Sequence, residues 1–279
     1  MKNRKGLPGG WAFEFANDLY PDTDDTAEVL MALARTRIPE ENEKQRTLDR
    51  GLQWLLSMQS GNGGWAAFDV DNTRRIITRI PFCDFGEVID PPSEDVTAHV
   101  LELLGLLGYG QAFPPVRRAL AYLRREQRLD GPWFGRWGVN YVYGTAAVLP
   151  ALSAVGQDMG QEYVQRAARW LGSHQNEDGG WGETCASYAN PELAGRGPST
   201  ASQTAWALLC LLAVDQGPSE VVRRGVLYLA ATQRQNGSWD EPHFTGTGFP
   251  RDFFINYHLY RDYYPLMALG RYLTFLRAG

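Results

Sequence analysis

Three carboxylates crowd into the four residues Asp22-Thr23-Asp24-Asp25, at the mouth of an apolar run. Like charges that close raise the pKa of at least one member, and a carboxyl still protonated near neutral pH is a ready general acid. The plainer reading is a helix N-cap with acidic residues in its first turn, which suit the positive end of the helix dipole. The cluster by itself leaves both readings open. The rest of the chain has to decide between them.

The elements that would hold this cluster recur along the chain. Four segments carry a helix, a Gln, a Gly-containing turn and a Trp six residues after the Gln. They are Gln59 to Trp65, Gln127 to Trp133, Gln175 to Trp181 and Gln233 to Trp239, and Pro8-Gly9-Gly10-Trp11 is the tail of the same unit. Identical spacing four times over marks a repeat architecture. The helix before each Gln is amphipathic, with stripes at Leu48, Leu52, Leu55 and Leu56, then Val116, Leu120 and Leu123. Val164, Ala167, Ala168 and Leu171 form the third stripe, and Val222, Val226 and Leu229 the fourth. One wet face and one dry face describe an outer helix.

Between these lie helices that are apolar nearly all round, expected at Asp25–Ala34, Val96–Leu107, Tyr143–Val155 and Thr204–Val214. Such a helix is buried on every side. Each carries a Thr-Ala pair near its start: Thr26-Ala27, Thr97-Ala98, Thr145-Ala146 and Thr204-Ala205. Alternating apolar and amphipathic helices predict an all-α fold, an α/α double-ring barrel of helix pairs, with no strands beyond short turn-flanking pieces. The tail from Ile255 to Leu276 reads as one or two more helices. Nine or ten helices fall short of the twelve in a complete six-fold double ring, so an incomplete ring is expected, as a single domain over residues 1–279.

Composition narrows the function. A net charge of −5 argues against a nucleic-acid partner. Cys83, Cys185 and Cys210 lie far apart, without metal-ligand spacing or a disulfide framework, which fits a reducing compartment. No signal peptide is visible at the N-terminus, and the longest apolar run, Ala205 to Val214, is too short to span a bilayer. The loop Ala66–Ser93 sets Ile76, Ile77, Ile80, Pro81 and Phe82 beside Arg74, Arg75 and Arg79. That mixture suits either a membrane surface or a small satellite core.

The four Gln-to-Trp repeats, Asp22 to Asp25, Asp90-Pro-Pro-Ser-Glu-Asp-Val-Thr-Ala-His-Val100 and Thr245-Gly-Thr-Gly-Phe-Pro250 together resemble squalene–hopene cyclases, over about Gly9 to Tyr272. The resemblance covers only the C-terminal part of a family chain; the family's second barrel and the short N-terminal segment that docks onto this one are not in the sequence. It implies a class II terpene cyclase, an isomerase that protonates a polyprene double bond, squalene or shorter, and drives ring closure through carbocations. No metal and no cofactor are implied. Asp24 would be the acid, Asp22 and Asp25 its neighbours, and His99 its hydrogen-bond partner. The chemistry fits: an alkene is a very weak base, and a charged His99 held by Asp95 one turn earlier would stabilise the carboxylate left behind.

The resemblance also places Phe13, Trp137, Phe249, Phe253, Tyr257 and Tyr260 on the cavity wall and Tyr143 near the acid. Phe68 stands where hopene-forming members usually carry Tyr. Aromatic faces stabilise carbocations without quenching them. A lipid-soluble substrate implies a peripheral, membrane-associated protein on the cytoplasmic side, of bacterial type, with a homodimer or a partner barrel closing the site. Two other readings compete: a non-catalytic or split half that needs a partner, and an α/α-barrel glycoside hydrolase with paired carboxylates. Inner helices made mostly of Ala, Leu and Val speak against sugar binding. The Gln and Trp of the repeats read as structural braces.

Overall fold

The computed structural model describes residues 6–74, 88–214, 219–250 and 252–278. Ile76 to Phe82, with Arg75, Arg79 and Cys83, on which the membrane-surface expectation falls, lie outside the described residues. Among the described residues the chain is helical apart from short hairpins. It divides into two compact units, Met1–Glu126 with Ala154–Gln157, and Gln127–Ser153 with Asp158–Gly279.

The first unit opens on β1 (Trp11–Ala12) and β2 (Pro21–Asp22), paired antiparallel with Trp11 opposite Asp22. Four helices follow: α1 (Thr23–Arg35), α2 (Glu41–Ser57), α3 (Glu94–Leu106) and α4 (Pro114–Glu126). Helix α1 packs on α2 and α3, and α3 on α4. The second unit holds α5 (Tyr141–Ala154, its last residue in the first unit), α6 (Glu162–Ser173), α7 (Ala201–Val214) and α8 (Glu220–Thr232). The hairpin of β3 (Gly246–Phe249) and β4 (Phe253–Ile255) leads into α9 (Tyr260–Ala278). Helix α7 packs against α6, α8 and α9. The tail is thus one helix, starting five residues later than its pattern suggests.

The apolar helices are not all alike. Tyr141 to Leu152 of α5 and Ala201 to Leu211 of α7 are buried throughout, as expected. Helix α1 departs from that expectation, because Glu28, Ala32 and Arg35 are exposed along one flank. Its two carboxylate-bearing turns therefore have a wet side. In the amphipathic helices Leu52, Leu56, Leu120, Ala168 and Val226 are only half-buried; Ala167 is buried as its stripe predicts, and Gly51, Ala119 and Gly225 hold the equivalent buried position in the other three. These four stand eight residues before their Gln. A larger side chain there would strike the neighbouring helix: a Cβ on Gly51 would meet Leu30 at 2.8 Å, and one on Gly225 would meet Leu208 at 2.9 Å.

The repeat motif turns out to be a wiring scheme. The indole N–H of Trp65, Trp181 and Trp239 donates to the carbonyls of Leu55, Leu171 and Leu229, at 2.7, 2.8 and 2.8 Å. The Gln amide donates to its own turn and to the second residue of the next amphipathic helix: Gln59 to Gly63 and Pro115, Gln127 to Gly131 and Tyr163, Gln175 to Gly179 and Val221. An arginine three residues further on reaches back, Arg118 to Gln59, Arg166 to Gln127, and Arg224 to the carbonyls of Asn176 and Glu177. The Thr of each Thr-Ala pair has its own task. Its hydroxyl accepts the backbone N–H of a repeat Trp: Trp11 to Thr26, Trp65 to Thr97, Trp133 to Thr145 and Trp181 to Thr204, all within 2.8–3.0 Å. Buried backbone donors must be paired, and this one is paired by the helix it touches.

Candidate active site

The start of α1 is fixed by three ties. Asp22 is its N-cap, with Oδ1 accepting the N–H of Asp24 at 2.6 Å and of Asp25 at 3.0 Å. The Thr23 N–H donates to the Ala67 carbonyl at 2.8 Å. Thr26 is pinned to Trp11 as described. The capping reading of the acidic cluster therefore holds for Asp22, and it holds alongside unusual electrostatics rather than instead of them.

Asp22 is 6% exposed. Burial, reinforced by the charges of Asp24 and Asp25, pushes its carboxyl well above the usual range, against the pull of the two N–H donors. Burial and then the charge of Asp24 raise Asp25 to about 6. The third acid has a cation. Nδ1 of His99, on α3, lies 2.6 Å from Oδ1 of Asp24. Burial disfavours a charged imidazole, yet the charge and hydrogen bond of Asp24, then Glu28 and Asp95, outweigh it and hold His99 at about 10. At neutral pH the imidazolium donates to Asp24, which is the support a strong conjugate acid requires.

Asp95 is buried, and its Oδ1 accepts the Ser93 hydroxyl at 2.6 Å and the Val96 N–H at 3.0 Å. Its negative charge favours the charged ring of His99. Sequence reasoning passed over Glu28, whose carboxylate lies 3.7 Å from the same His99 nitrogen. Its spacing of four from Asp24 was the available signal. Phe68 is half-buried and gives its N–H to Asp90 Oδ2 at 2.6 Å. Phe13 is 62% exposed, so it is not part of the core.

The remaining aromatic candidates belong to the second unit. Phe249 and Phe253 meet edge to face across the β3–β4 hairpin, 5.3 Å between centroids. Tyr257 and Tyr260 stack at 4.7 Å. Buried Tyr143, at the start of α5, packs edge-on against Trp206 at 4.9 Å, and Tyr260 meets the same indole at 5.8 Å. Trp206 is thus the hub of this aromatic group, and sequence reasoning missed it because it sits in an all-apolar helix. The Trp137 carbonyl accepts the Thr247 N–H at 3.0 Å, tying Trp137 to the same hairpin.

Residues 1–274 match the squalene-hopene cyclase C-terminal domain family. The chain belongs to that family. This cyclase domain is 58% identical over 265 residues to the squalene–hopene cyclase of Alicyclobacillus acidocaldarius, covering 95% of the chain and 42% of that relative. It is 46% identical over 276 residues to the squalene–hopene cyclase of Zymomonas mobilis, covering 98% of the chain and again 42% of the relative. The domain therefore spans about two-fifths of the length of these relatives. Among solved structures it is similar to the type II terpene cyclase MstE of Scytonema, with a TM-score of 0.61 and 24% identity, over 90% of this chain and 66% of that one. A variant of MstE has been solved with geranylgeranyl dihydroxybenzoate as its substrate. The likeness gives the cyclase domain the terpene-cyclase fold, of the α/α-barrel type its repeats predicted. None of its described helices is long and apolar enough to cross a membrane.

Proposed function

We propose that this domain carries the proton-donating half of a class II terpene cyclase acting on squalene or a shorter polyprene. The observation that carries the reading is the 2.6 Å contact between Asp24 and charged His99, beside two acids held towards their protonated forms. Asp24 gives its proton to the terminal double bond, and the imidazolium stabilises the carboxylate that remains. Asp22 and Asp25, when protonated, spare that site two further negative charges. Aromatic faces stabilise cations, each worth about 1–2 kcal/mol when desolvated, and on the sequence resemblance we propose this role for Phe13, Phe68, Trp137, Tyr143, Phe249, Phe253, Tyr257 and Tyr260.

Because the chain spans 42% of its relatives' length, the test needs two arms. The protein is incubated with squalene and with geranylgeranyl-type polyprenes, alone and with the remaining part of a full-length cyclase supplied separately. Cyclised product in either arm, lost in Asp24→Asn, supports the reading. Product only with the added part supports the split-half version. No product in either arm rejects it.

The same reading extends to location. A hydrocarbon substrate partitions into membranes, and the sequence of residues 75–87 sets Ile76, Ile77, Ile80 and Phe82 beside Arg75 and Arg79, so peripheral attachment to anionic bilayers is proposed. Flotation with anionic liposomes should carry the protein upwards at low salt; full recovery in the soluble fraction would reject it.

A further inference from the structure

The segment 134–140, which carries Trp137, runs between the second repeat and α5 without a helix of its own. Backbone polar groups in such a segment need partners from elsewhere once they are buried. The second unit supplies them one by one. The Trp137 carbonyl accepts the Thr247 N–H at 3.0 Å, and the Val139 N–H donates to the Thr245 carbonyl at 2.9 Å. Gln203 Nε2 donates to the Val139 carbonyl at 3.0 Å. Two further carbonyls, of Gly135 and Gly138, share a single donor. The hydroxyl of Tyr188 lies 2.8 Å from the first and 2.7 Å from the second.

A phenol has one proton to give, so both acceptors must keep their places for it to serve them. Gly135 and Gly138 flank Arg136 and Trp137, and the two contacts close a staple around the residue that bears the indole. The glycines leave it little slack. A Cβ on Gly135 would fall 2.5 Å from the Asn140 carbonyl oxygen, and one on Gly138 would fall 2.4 Å from the ring of Tyr143. Tyr188 itself ends the short 3-10 turn Cys185–Tyr188 and is 3% exposed. Its ring meets Phe134 edge-on at 5.7 Å and stacks on Phe254 at 6.0 Å. Phe134 begins the segment, and Phe254 lies on β4 next to Phe253. One side chain thus grips two parts of the second unit to which the resemblance assigns the substrate wall.

We propose that Tyr188 is a positioning residue that fixes Trp137 against the β3–β4 hairpin, and through that spacing selects which cyclised product leaves the enzyme. The proposal rests on the reading of Trp137, Phe249 and Phe253 as substrate wall. Tyr188 makes and breaks no covalent bond in this role. It keeps aromatic faces where successive cations arise. A face displaced by about 1 Å lets a cation lose a proton or meet water before the next ring closes.

The test uses Tyr188→Phe in the whole chain, which keeps the ring and removes the staple, with two independent readouts. The first is fluorine NMR of protein labelled with fluorotryptophan, the Trp137 line being assigned by Trp137→Phe. The guanidinium of Arg136 stands 5.5 Å from the Trp137 ring centroid, so that line senses small movements of the segment. It should shift in Tyr188→Phe, while the line of Trp65, bound to Leu55 in the first unit, stays in place. The second readout is product analysis with squalene and geranylgeranyl-type polyprenes, alone and with the remaining part of a full-length cyclase. The ratio of fully cyclised to early-terminated product should fall about tenfold. Gly237→Ala, which strains an open turn of the same unit, is the control for lost stability and should move neither the Trp137 line nor the ratio. If Tyr188→Phe does not fold, Phe254→Leu takes its place, since it frees the ring of Tyr188 and keeps the hydroxyl. Line and ratio should then move the same way by a smaller amount. An unmoved Trp137 line overturns the positioning role. A moved line with an unchanged ratio overturns the selection of product, as does an equal change in Gly237→Ala. If the unmodified protein makes no product in either arm, the reading of the wall falls, and the NMR arm still decides whether Tyr188 holds Trp137.

Discussion

Nδ1 of His99 and Oδ1 of Asp24 stand 2.6 Å apart although the residues are 75 positions apart in the chain. The contact joins the first turn of α1 to the middle of α3, and each partner shapes the other's chemistry. Asp24 keeps the imidazole charged, and the charged ring gives Asp24 a hydrogen-bond donor.

Replacing Asp24 by Asn separates proton donation from shape. The amide keeps the size of the side chain but has no acidic proton to give. Any cyclisation should fall below detection by product analysis, while the helical circular dichroism stays unchanged because Asp22 still caps α1. His99 loses its strongest partner, so its NMR midpoint should drop from about 10 towards the ordinary 6.5.

Stability should depend on pH with a definite sign. The fold raises His99 from 6.5 to about 10, so it prefers the charged ring. That stabilisation is complete below pH 6.5 and is lost as pH climbs through 10. Asp25, raised from 3.8 to about 6, acts in the same direction at lower pH, because the fold prefers its protonated form. Thermal unfolding midpoints should fall across both windows. His99→Gln should erase the upper decline and leave the lower one.

The threonine ties make a stability prediction away from the acid. Thr204→Val removes the hydroxyl that accepts the Trp181 N–H at 2.9 Å and leaves a buried donor unpaired. The cost should be about 1–3 kcal/mol by denaturant unfolding. Thr97→Val, which orphans the Trp65 N–H, should cost the same amount within error.

A pair of glycines offers an internal control. Gly63 has φ +97°, and a Cβ there would lie 2.4 Å from the Arg118 carbonyl oxygen. Gly237 has φ +87° and nothing within 4 Å. Gly237→Ala should cost only the left-handed backbone, about 1–2 kcal/mol, and Gly63→Ala clearly more. Equal losses in urea unfolding would contradict this account of the turn.

Much of this was legible because it is periodic. The alternation of apolar and amphipathic runs located α3, α5 and α7 to within three residues at either end, and in α5 and α7 burial on all sides leaves no room for charge. The cluster at Asp22, Asp24 and Asp25 could be suspected from charge density alone, and its pairing with His99 came from resemblance. What stayed hidden depends on contacts distant in sequence. Gly51, Ala119 and Gly225 looked like ordinary small residues until the helices around them were in place. Glu28 drew no reading of its own, and the exposed flank of α1 could not be foreseen from a run rich in Ala and Leu. Trp206 was lost among apolar neighbours, because periodicity finds a buried helix and not the ring at its centre.

The wiring of the repeats has a consequence for how the chain comes apart. Gly63, Gly131 and Gly179 each sit against the carbonyl of an arginine on the following amphipathic helix, and Gln59, Gln127 and Gln175 reach that same helix. Coupling of this kind runs between nearest neighbours, as in a zipper. Among the described residues the last turn breaks the rule: Gln233 bonds only to Gly237 of its own turn, and no neighbour presses on that glycine. The second unit therefore has a loose tooth at one end. Opening should begin around residues 233–239 and travel back through Gln175, so amide exchange should be fastest in that final turn and slow stepwise towards α5.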